Sequence, residues 1–401
     1  MILLRARDFR LIWTGQVVSV VGDGMQRIAL LWWARQAGGN GLLTAVALAT
    51  MVPLIVGSPF GGWMADRFDR RRLMFGADVA RMVLTGLLAV LVLGRHGPPV
   101  VVCVLVAVCA LATSVFEPAY AAAVPSLIQP EDRPAANGMN MANSAVGGLI
   151  GPLIGGALIS AFTVGTVLMI NAITFAWSAA FVALSRIPRP AGATDAARRE
   201  HSTKAAVGTV LRDGGLRRLV GLAAALNMVA APIPLLIVAL AVDRFHTSSV
   251  GFGALQVTIS AGILIGALAA SRLARTTIAP PMLVLGVCFG LVGSLPFVAS
   301  AALFVAAGVA IAVANTVLLT RFQNSVAEEI QGRVFGAVGA IGEGLRPVGL
   351  ALGAPLLAVA GVSGAFLVVG LAVIAATLCW GLTSSPSARK TPDSQQVSVP
   401  V

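Results

Sequence analysis

Residues 147–156 read GGLIGPLIGG, which is five glycines and one proline in ten positions of an otherwise apolar stretch. Gly147, Gly151 and Gly155 recur at every fourth position, so they share one helical face that a neighbouring backbone can approach closely. Pro152 removes a backbone donor and permits a bend. In water this helix would be weak, because each glycine costs about 1 kcal/mol relative to alanine. The stretch therefore indicates a helix that packs and bends within a lipid bilayer.

The composition of the 401-residue chain also indicates a bilayer. Hydrophobic residues make up 57% of the chain, charged residues make up 11%, and the mean hydropathy is +0.91. Apolar runs of about 20 residues, long enough to cross roughly 30 Å of hydrocarbon, recur along the whole sequence. We number them as spans 1 to 12: 11–34, 42–64, 73–94, 99–123, 135–160, 164–186, 217–242, 250–270, 280–299, 301–322, 334–360 and 363–383.

The positions of Lys and Arg predict the orientation. The N-terminus, the tail and the loops predicted on the same side hold 22 of the 28 Lys and Arg residues. This asymmetry predicts a protein of the cell membrane with both termini in the cytoplasm. The net charge of +12 is thus mainly a topology signal, with anionic lipid headgroups as its partner. Nucleic-acid binding is not expected, since the charges are dispersed over seven segments.

One long polar break divides the chain into two sets of six spans. We expect an all-α integral membrane fold with twelve transmembrane helices in two six-helix bundles. The predicted units are an N-terminal bundle (1–188), a cytoplasmic linker (189–216), a C-terminal bundle (217–385) and a disordered cytoplasmic tail (386–401). A weak repeat supports two related halves, because Gly61, Asp66 and Arg67 recur as Gly266, Ser271 and Arg272. Duplicated halves predict a substrate path between them that opens alternately to each side.

A second motif, GWMADRFDRRRLM at 62–74, lies at the predicted cytoplasmic turn between spans 2 and 3. We expect Gly62 to permit close helix approach and Asp66 to meet the N-terminus of a partner helix. The motif's arginines, Arg67, Arg70, Arg71 and Arg72, supply positive charge for anionic lipid or a carboxylate.

With these motifs the sequence resembles the major facilitator superfamily over essentially its whole length. The family signature G-x-x-x-D-R-x-G-R-R is matched by Gly62, Asp66, Arg67, Arg70 and Arg71, with Asp69 where the family usually has glycine. The stretch 147–156 matches G-x-x-x-G-P-x-x-G-G, carried by Gly147, Gly151, Pro152, Gly155 and Gly156. In that family this signature marks drug or metabolite:proton antiporters. The segments GDGM (22–25), FEPA (116–119) and GR (332–333) are most similar to the macrolide-efflux and enterobactin-exporter branch.

Charged residues inside spans indicate the mechanism, because an ion at the bilayer centre costs roughly 3 kcal/mol on insertion scales. Asp23 and Arg27 lie near the middle of span 1 and extend a polar stripe begun by Gln16 and Ser19. We expect this stripe to line a cavity in which Asp23 gains and releases a proton. The alternative is a permanent Asp23–Arg27 ion pair that holds span 1 to its neighbours.

Two further sets of charges lie in other spans. Asp78 and Arg81 on span 3 and Glu117 on span 4 fall near the cytoplasmic side. The resemblance implies that a helix 4 acid meets the loop arginines, so Glu117 with Arg70 or Arg71 is a candidate gate. Glu343 and Arg346 on span 11 are equally consistent with a second coupling site or an interface pair.

Uncharged polar residues on spans 5 and 6 form patterns that are less specific for function. Asn137, Asn140 and Asn143 on span 5, and Asn171, Thr174 and Ser178 on span 6, are consistent with substrate binding but more often mean helix–helix hydrogen bonds. Pro232 and Pro234 are expected to break span 7 near its middle.

An enzyme is not expected, since the three histidines lie in separate loops and there is no phosphate-binding loop. We predict a proton-coupled secondary exporter of small amphipathic drugs or metabolites, with the proton gradient as its energy source and no cofactor or metal. The expected partners are a small-molecule substrate and membrane lipid, and the expected state is a monomer. A specific siderophore or natural-product exporter and a non-transporting sensor of the same fold remain alternatives.

Overall fold

The computed structural model describes residues 6–94, 97–188, 214–273, 277–325 and 342–383, and all regular secondary structure in these ranges is helical. The N-terminal half contains the helices Arg7–Arg67, Arg70–Leu93, Pro99–Ala123, Arg133–Ala161 and Val164–Leu184, with short 3₁₀ turns at Val124–Ser126 and Pro130–Asp132. The C-terminal half contains Gly214–Ala230, Ile233–Ala239, Ser249–Leu273, Ala279–Val292, Phe297–Ser325, Arg346–Ala351 and Gly353–Thr383, with a π-helical turn at Leu240–Arg244.

Two of these helices each contain parts of two spans joined at a glycine. Helix Arg7–Arg67 holds spans 1 and 2 and is kinked at Gly38 and Gly39, and Gly39 has φ +62°. Helix Gly353–Thr383 is interrupted at Gly361, with φ +63°, between spans 11 and 12. Positive φ is costly for a residue with a Cβ, so glycine is required at both junctions.

Within the described ranges, nine helices are long and apolar enough to cross a membrane. Spans 1 and 2 share one of them, and span 9 forms the shorter apolar helix Ala279–Val292. The chain is therefore a multi-pass helical membrane protein. The count of twelve stays a prediction, because the first part of span 11, residues 334–341, lies outside the described residues.

Span 7 is broken where its prolines predict. One helix ends at Ala230 and the next begins at Ile233, with Pro232 as its N-cap. Proline cannot donate the backbone hydrogen bond that a continuous helix would need here.

The two halves repeat one packing arrangement. A Cβ on Gly61 would lie 3.1 Å from the Val115 Cα of span 4. A Cβ on Gly266 would lie 2.7 Å from the Val309 carbonyl oxygen of span 10. Because both contacts are with backbone, spans 2 and 4 approach as closely as spans 8 and 10, as the sequence repeat suggests.

The halves meet along spans 5 and 8, and also at one end of the bundle. At that end the Arg35 guanidinium pairs with the Asp243 carboxylate, and the Trp32 ring stacks on Phe252 with centroids 6.0 Å apart. We call this the Arg35–Asp243 end, and the other, which carries the 67–72 loop, the basic end. The predicted linker (189–216) and tail (386–401) lie almost wholly outside the described residues, so these domain boundaries stay predictions.

Candidate functional site

A buried ion pair lies at the centre of the N-terminal half. Asp78 and Arg81, three residues apart on helix Arg70–Leu93, pair through their side chains, which are 0% and 2% exposed. The Arg81 guanidinium carbon lies 4.2 Å from the ring centroid of Phe116 and 4.5 Å from that of Phe175. Cation–π contacts on two rings and an ion pair together fix the position of this guanidinium. The pair predicted on span 3 is therefore formed.

Hydrogen bonds connect this ion pair to spans 1 and 6. The Ser178 hydroxyl donates to Asp78 Oδ2 at 2.7 Å, and Gln16 Nε2 donates to the Ser178 oxygen at 3.3 Å. Gln16 and Ser19 are buried, at 5% and 1% exposure, so this part of the span 1 stripe packs between helices. The prediction that the whole stripe lines a cavity is thus wrong for Gln16 and Ser19, since span 6 covers that face.

A second set of hydrogen bonds joins span 6 to span 1 close to Asp23 in the sequence. Asn171 Nδ2 of span 6 donates to Gln26 Oε1 at 2.7 Å, and Gln26 follows Asp23 by three residues on span 1. The Thr174 hydroxyl donates to Asn171 Oδ1 at 2.8 Å. Gly22 makes this contact possible, because a Cβ there would lie 2.5 Å from the Thr174 oxygen. The span 6 polar residues therefore connect helices, as their pattern most often indicates.

Three charged side chains of the N-terminal half have exposed surface. Asp23 is partly exposed, and Arg27 and Glu117 are exposed. The ion pairs found among the described residues do not include one between Asp23 and Arg27. The predicted permanent Asp23–Arg27 pair is thus not formed in this structure.

The loop arginines cap helices and do not bind Glu117. Arg70 Nη1 donates to the carbonyl of Ala122 at 2.9 Å, at the end of the span 4 helix. Arg71 donates to the carbonyls of Val182 and Ala183, at the end of the span 6 helix. Carbonyls at a helix C-terminus lack intrahelical donors and carry partial negative charge, so guanidinium groups stabilise them. The expected pairing of Glu117 with Arg70 or Arg71 is therefore absent from this structure.

The residue that departs from the family signature has a structural role. The Asp69 carboxylate caps helix Arg70–Leu93, with its Oδ1 accepting from the Arg72 backbone N–H at 3.1 Å. Aspartate is among the best N-cap residues. At the same turn the Arg67 guanidinium lies 4.8 Å from the Trp63 ring centroid. Asp66 takes part in an interaction. Its predicted contact with the N-terminus of a partner helix stays a prediction.

The expectation for Gly62 is wrong by one residue. No atom lies within 4 Å of a Cβ placed on Gly62, whereas Gly61 faces the span 4 backbone. Successive helical residues point about 100° apart, so only one of two adjacent glycines can face a given neighbour.

The 147–156 glycine segment packs on two helices at once. Gly147, Gly151 and Gly155 face span 1, where a Cβ on Gly151 would lie 2.7 Å from the Gly24 Cα. On the adjacent face, the Ser249 hydroxyl of span 8 donates to the Gly156 carbonyl at 2.9 Å. The Ser260 hydroxyl donates to the Gly148 carbonyl at 3.0 Å. The segment therefore forms a tight contact between the two halves.

The C-terminal half adds one exposed ion pair. Arg346 Nη1 lies 2.6 Å from Glu343 Oε2, and their side chains are 37% and 47% exposed. The predicted Glu343–Arg346 pair is therefore formed. The GR segment at 332–333 lies outside the described residues.

Two sets of contacts in this arrangement were not predicted from the sequence. Gln26, three residues after Asp23, links spans 1 and 6, and Thr85 of span 3 donates to it at 3.3 Å. The Arg35–Asp243 pair was also missed. A signal existed for it, since Asp243 is the one acidic residue in the loops predicted on that side.

Comparison with known proteins places this geometry in a family. Residues 12–349 match the family model described as Major Facilitator Superfamily. The chain belongs to the Major Facilitator Superfamily. This membership identifies it as a transporter and not an enzyme, in agreement with the sequence-based prediction.

Other members of the Major Facilitator Superfamily are similar over most of this chain. Macrolide efflux protein A of Streptococcus pyogenes is 24% identical over 380 residues, covering 91% of this chain and 93% of the relative. Multidrug efflux pump Tap of Mycobacterium tuberculosis is 27% identical over 390 residues, covering 92% and 90%.

Solved transporter structures share the fold. A nucleoside transporter superposes with a TM-score of 0.77 at 12% identity, covering 94% of this chain and 100% of that chain. A bacterial homologue of the iron transporter ferroportin, in an inward-facing state, gives a TM-score of 0.72 at 14% identity and covers 93% and 98%.

Proposed function

We propose that this protein is a proton-coupled secondary exporter of small amphipathic molecules, working by alternating access. The observation that carries the proposal is a partly exposed carboxylate, Asp23, near the middle of span 1, in the same half as the fixed and buried Asp78–Arg81 ion pair. Ionisable groups inside a span are costly, and in transporters they commonly carry protons or bind substrate. An accessible carboxylate can exchange a proton with water, whereas a buried, paired one cannot do so easily.

The names of the relatives support export. Both relatives described above are named as efflux proteins, one for macrolides and one for multiple drugs. We therefore propose a macrolide such as erythromycin as the first probe. The proton gradient is the proposed energy source, and no cofactor is proposed.

The proposed location is the cell membrane, with both termini and the basic end in the cytoplasm, because Lys and Arg concentrate in the loops on that side. In this orientation the Arg35–Asp243 pair closes the outer end of the contact between the halves. The protein is proposed to work as a monomer, in contact with small-molecule substrate and lipid.

The test compares two modes of transport into proteoliposomes, with radiolabelled erythromycin supplied outside and, for counterflow, unlabelled erythromycin inside. Asp23→Asn removes the proton site but keeps the size of the side chain, so it should abolish accumulation driven by a pH gradient and retain counterflow. Glu131→Gln is the matched control, because Glu131 is an exposed acid on the Pro130–Asp132 turn. The control should retain both modes. If the Asp23→Asn variant still accumulated erythromycin in response to a pH gradient, Asp23 would not be the residue that carries the coupled proton.

Direction is tested in cells that express the protein. Dissipating the proton gradient should raise the amount of erythromycin that the cells retain, since export then stops. A fall in retained erythromycin would indicate import and contradict the proposal.

A further inference from the structure

A cavity of about 670 Å³ lies at the Arg35–Asp243 end, mostly within the N-terminal half. Its walls are the last residues of spans 1, 3 and 5, the first residues of spans 4 and 6, and the first residues of span 8 from the other half. Sites for small molecules usually have volumes of about 300–1,000 Å³. We call this space the Trp33 cavity, and its size is that of a small-molecule site.

The lining of the Trp33 cavity is aromatic and uncharged. Trp32, Trp33 and Phe162 provide rings, and the described lining residues include no Asp, Glu, Lys, Arg or His. Gln36 and Ser160 add an amide and a hydroxyl. Within the described ranges, the side chains of Trp33 and Gln36 have no hydrogen-bond partner, so their N–H groups are available to a ligand. Because an unpaired charge is costly to bury, this lining suits a neutral molecule that carries rings and oxygen acceptors.

Two contacts that fix the walls of the cavity also join the two halves. The Trp32 ring of span 1 stacks on Phe252 of span 8, with centroids 6.0 Å apart. The buried Ser249 hydroxyl of span 8 donates to the Gly156 carbonyl of span 5 at 2.9 Å. If the halves separated at this end, Ser248 and Ser249 would leave the wall that they form. The cavity is therefore complete only while this end is closed.

We propose that the Trp33 cavity is a regulatory site, which binds a neutral, ring-containing molecule with oxygen acceptors and thereby holds the Arg35–Asp243 end closed. A ligand that binds one state better shifts the population toward that state by its difference in affinity. Five of the six spans that line the cavity belong to one half, whereas the path of a transported substrate is expected between the halves. The inference goes beyond the proposed function and does not depend on proton coupling.

Equilibrium binding of radiolabelled colchicine to the purified full-length protein tests the site. Colchicine is neutral and carries methoxy and carbonyl oxygens on its rings, and the wild-type protein should bind it saturably. Ser160→Phe places a ring in the space of the ligand and should weaken binding by roughly tenfold or more. Ala161→Phe is the matched control, because it adds the same ring at an exposed neighbouring position outside the lining. This control should keep the wild-type affinity.

Two tryptophan variants test the predicted hydrogen bond. Trp33→Phe keeps an aromatic ring but removes the N–H, so it should weaken colchicine binding about two- to tenfold, the usual contribution of one hydrogen bond. Trp177→Phe makes the same change at an exposed residue of span 6 outside the lining and should have no effect. The site is overturned if the wild-type protein shows no saturable binding, or if Ser160→Phe and Ala161→Phe bind equally well. Equal affinities of the two tryptophan variants would overturn the assignment of Trp33 as a donor.

Distances between spin labels test whether the ligand holds this end closed. The labels are attached at Gly41→Cys and Val250→Cys, which are exposed positions on the two halves outside the lining. The accessible cysteines Cys103 and Cys379 are replaced by serine. In an Asp243→Asn protein, which lacks the ion pair at this end, added colchicine should raise the fraction of short distances. Colchicine that binds this protein but leaves the distances unchanged would overturn the closing role.

Discussion

Replacing Gly151 by alanine should separate spans 1 and 5. The new Cβ would lie 2.7 Å from the Gly24 Cα and 2.8 Å from the Val21 carbonyl oxygen, whereas ordinary contact begins at 3.4 Å. Both atoms belong to backbone, so the helices must move apart by roughly 0.7 Å. Overpacking of this kind costs about 1–3 kcal/mol.

Gly148→Ala in the same segment is the matched control. The nearest atom to its Cβ is the Ser260 hydroxyl oxygen at 3.8 Å, so alanine fits without movement. Both variants gain the same helix propensity, about 1 kcal/mol, and this gain cancels in the comparison.

The assay is thermal unfolding of the detergent-purified variants. A six-helix half is comparable to a domain of 150–250 residues, for which 1 kcal/mol shifts Tm by about 2–4 °C. Gly151→Ala should therefore unfold about 2–12 °C below Gly148→Ala. Equal melting temperatures for the two variants would refute the claim that Gly151 is required by a backbone contact.

Three further variants test other contacts. Asp78→Asn leaves the Arg81 charge buried without its partner and should cost about 3–5 kcal/mol, measured as a lowered Tm; an unchanged Tm would contradict the buried pair. Asp69→Ala removes a helix cap and should cost about 1 kcal/mol in the same assay, and a neutral result would show that the cap does not contribute. Asp243→Asn breaks the partly exposed pair with Arg35 and should cost less than about 1 kcal/mol in stability. It should nevertheless make the open state of the Arg35–Asp243 end more populated. Distances between spin labels placed on the two halves at this end measure that population, and unchanged distances would show that the pair does not hold this end closed.

The spans could be predicted from sequence because their signals are local. The predicted runs 99–123 and 164–186 correspond to the helices Pro99–Ala123 and Val164–Leu184. Apolar length and the positions of glycine and proline determine where such helices begin, end and break. The break before Ile233 follows from the same reasoning.

Contacts between helices were predicted less well, because the sequence period does not fix how each helix is rotated toward its neighbours. Gly61 and not Gly62 faces span 4. The Asp78–Arg81 pair was predictable since both residues lie on one helix turn, but Gln26 with Asn171 joins residues far apart in the chain. Arg70 and Arg71 bind backbone carbonyls, which no side-chain pattern indicates.

The central claim is that substrate movement is coupled to a proton through Asp23. Proteoliposomes that contain a trapped pH-sensitive dye report this coupling when an erythromycin gradient is imposed without any pH gradient. The account predicts that erythromycin moving through the wild-type protein changes the internal pH, and that Asp23→Asn exchanges erythromycin with no pH change. Erythromycin transport by the wild-type protein at constant internal pH would contradict it.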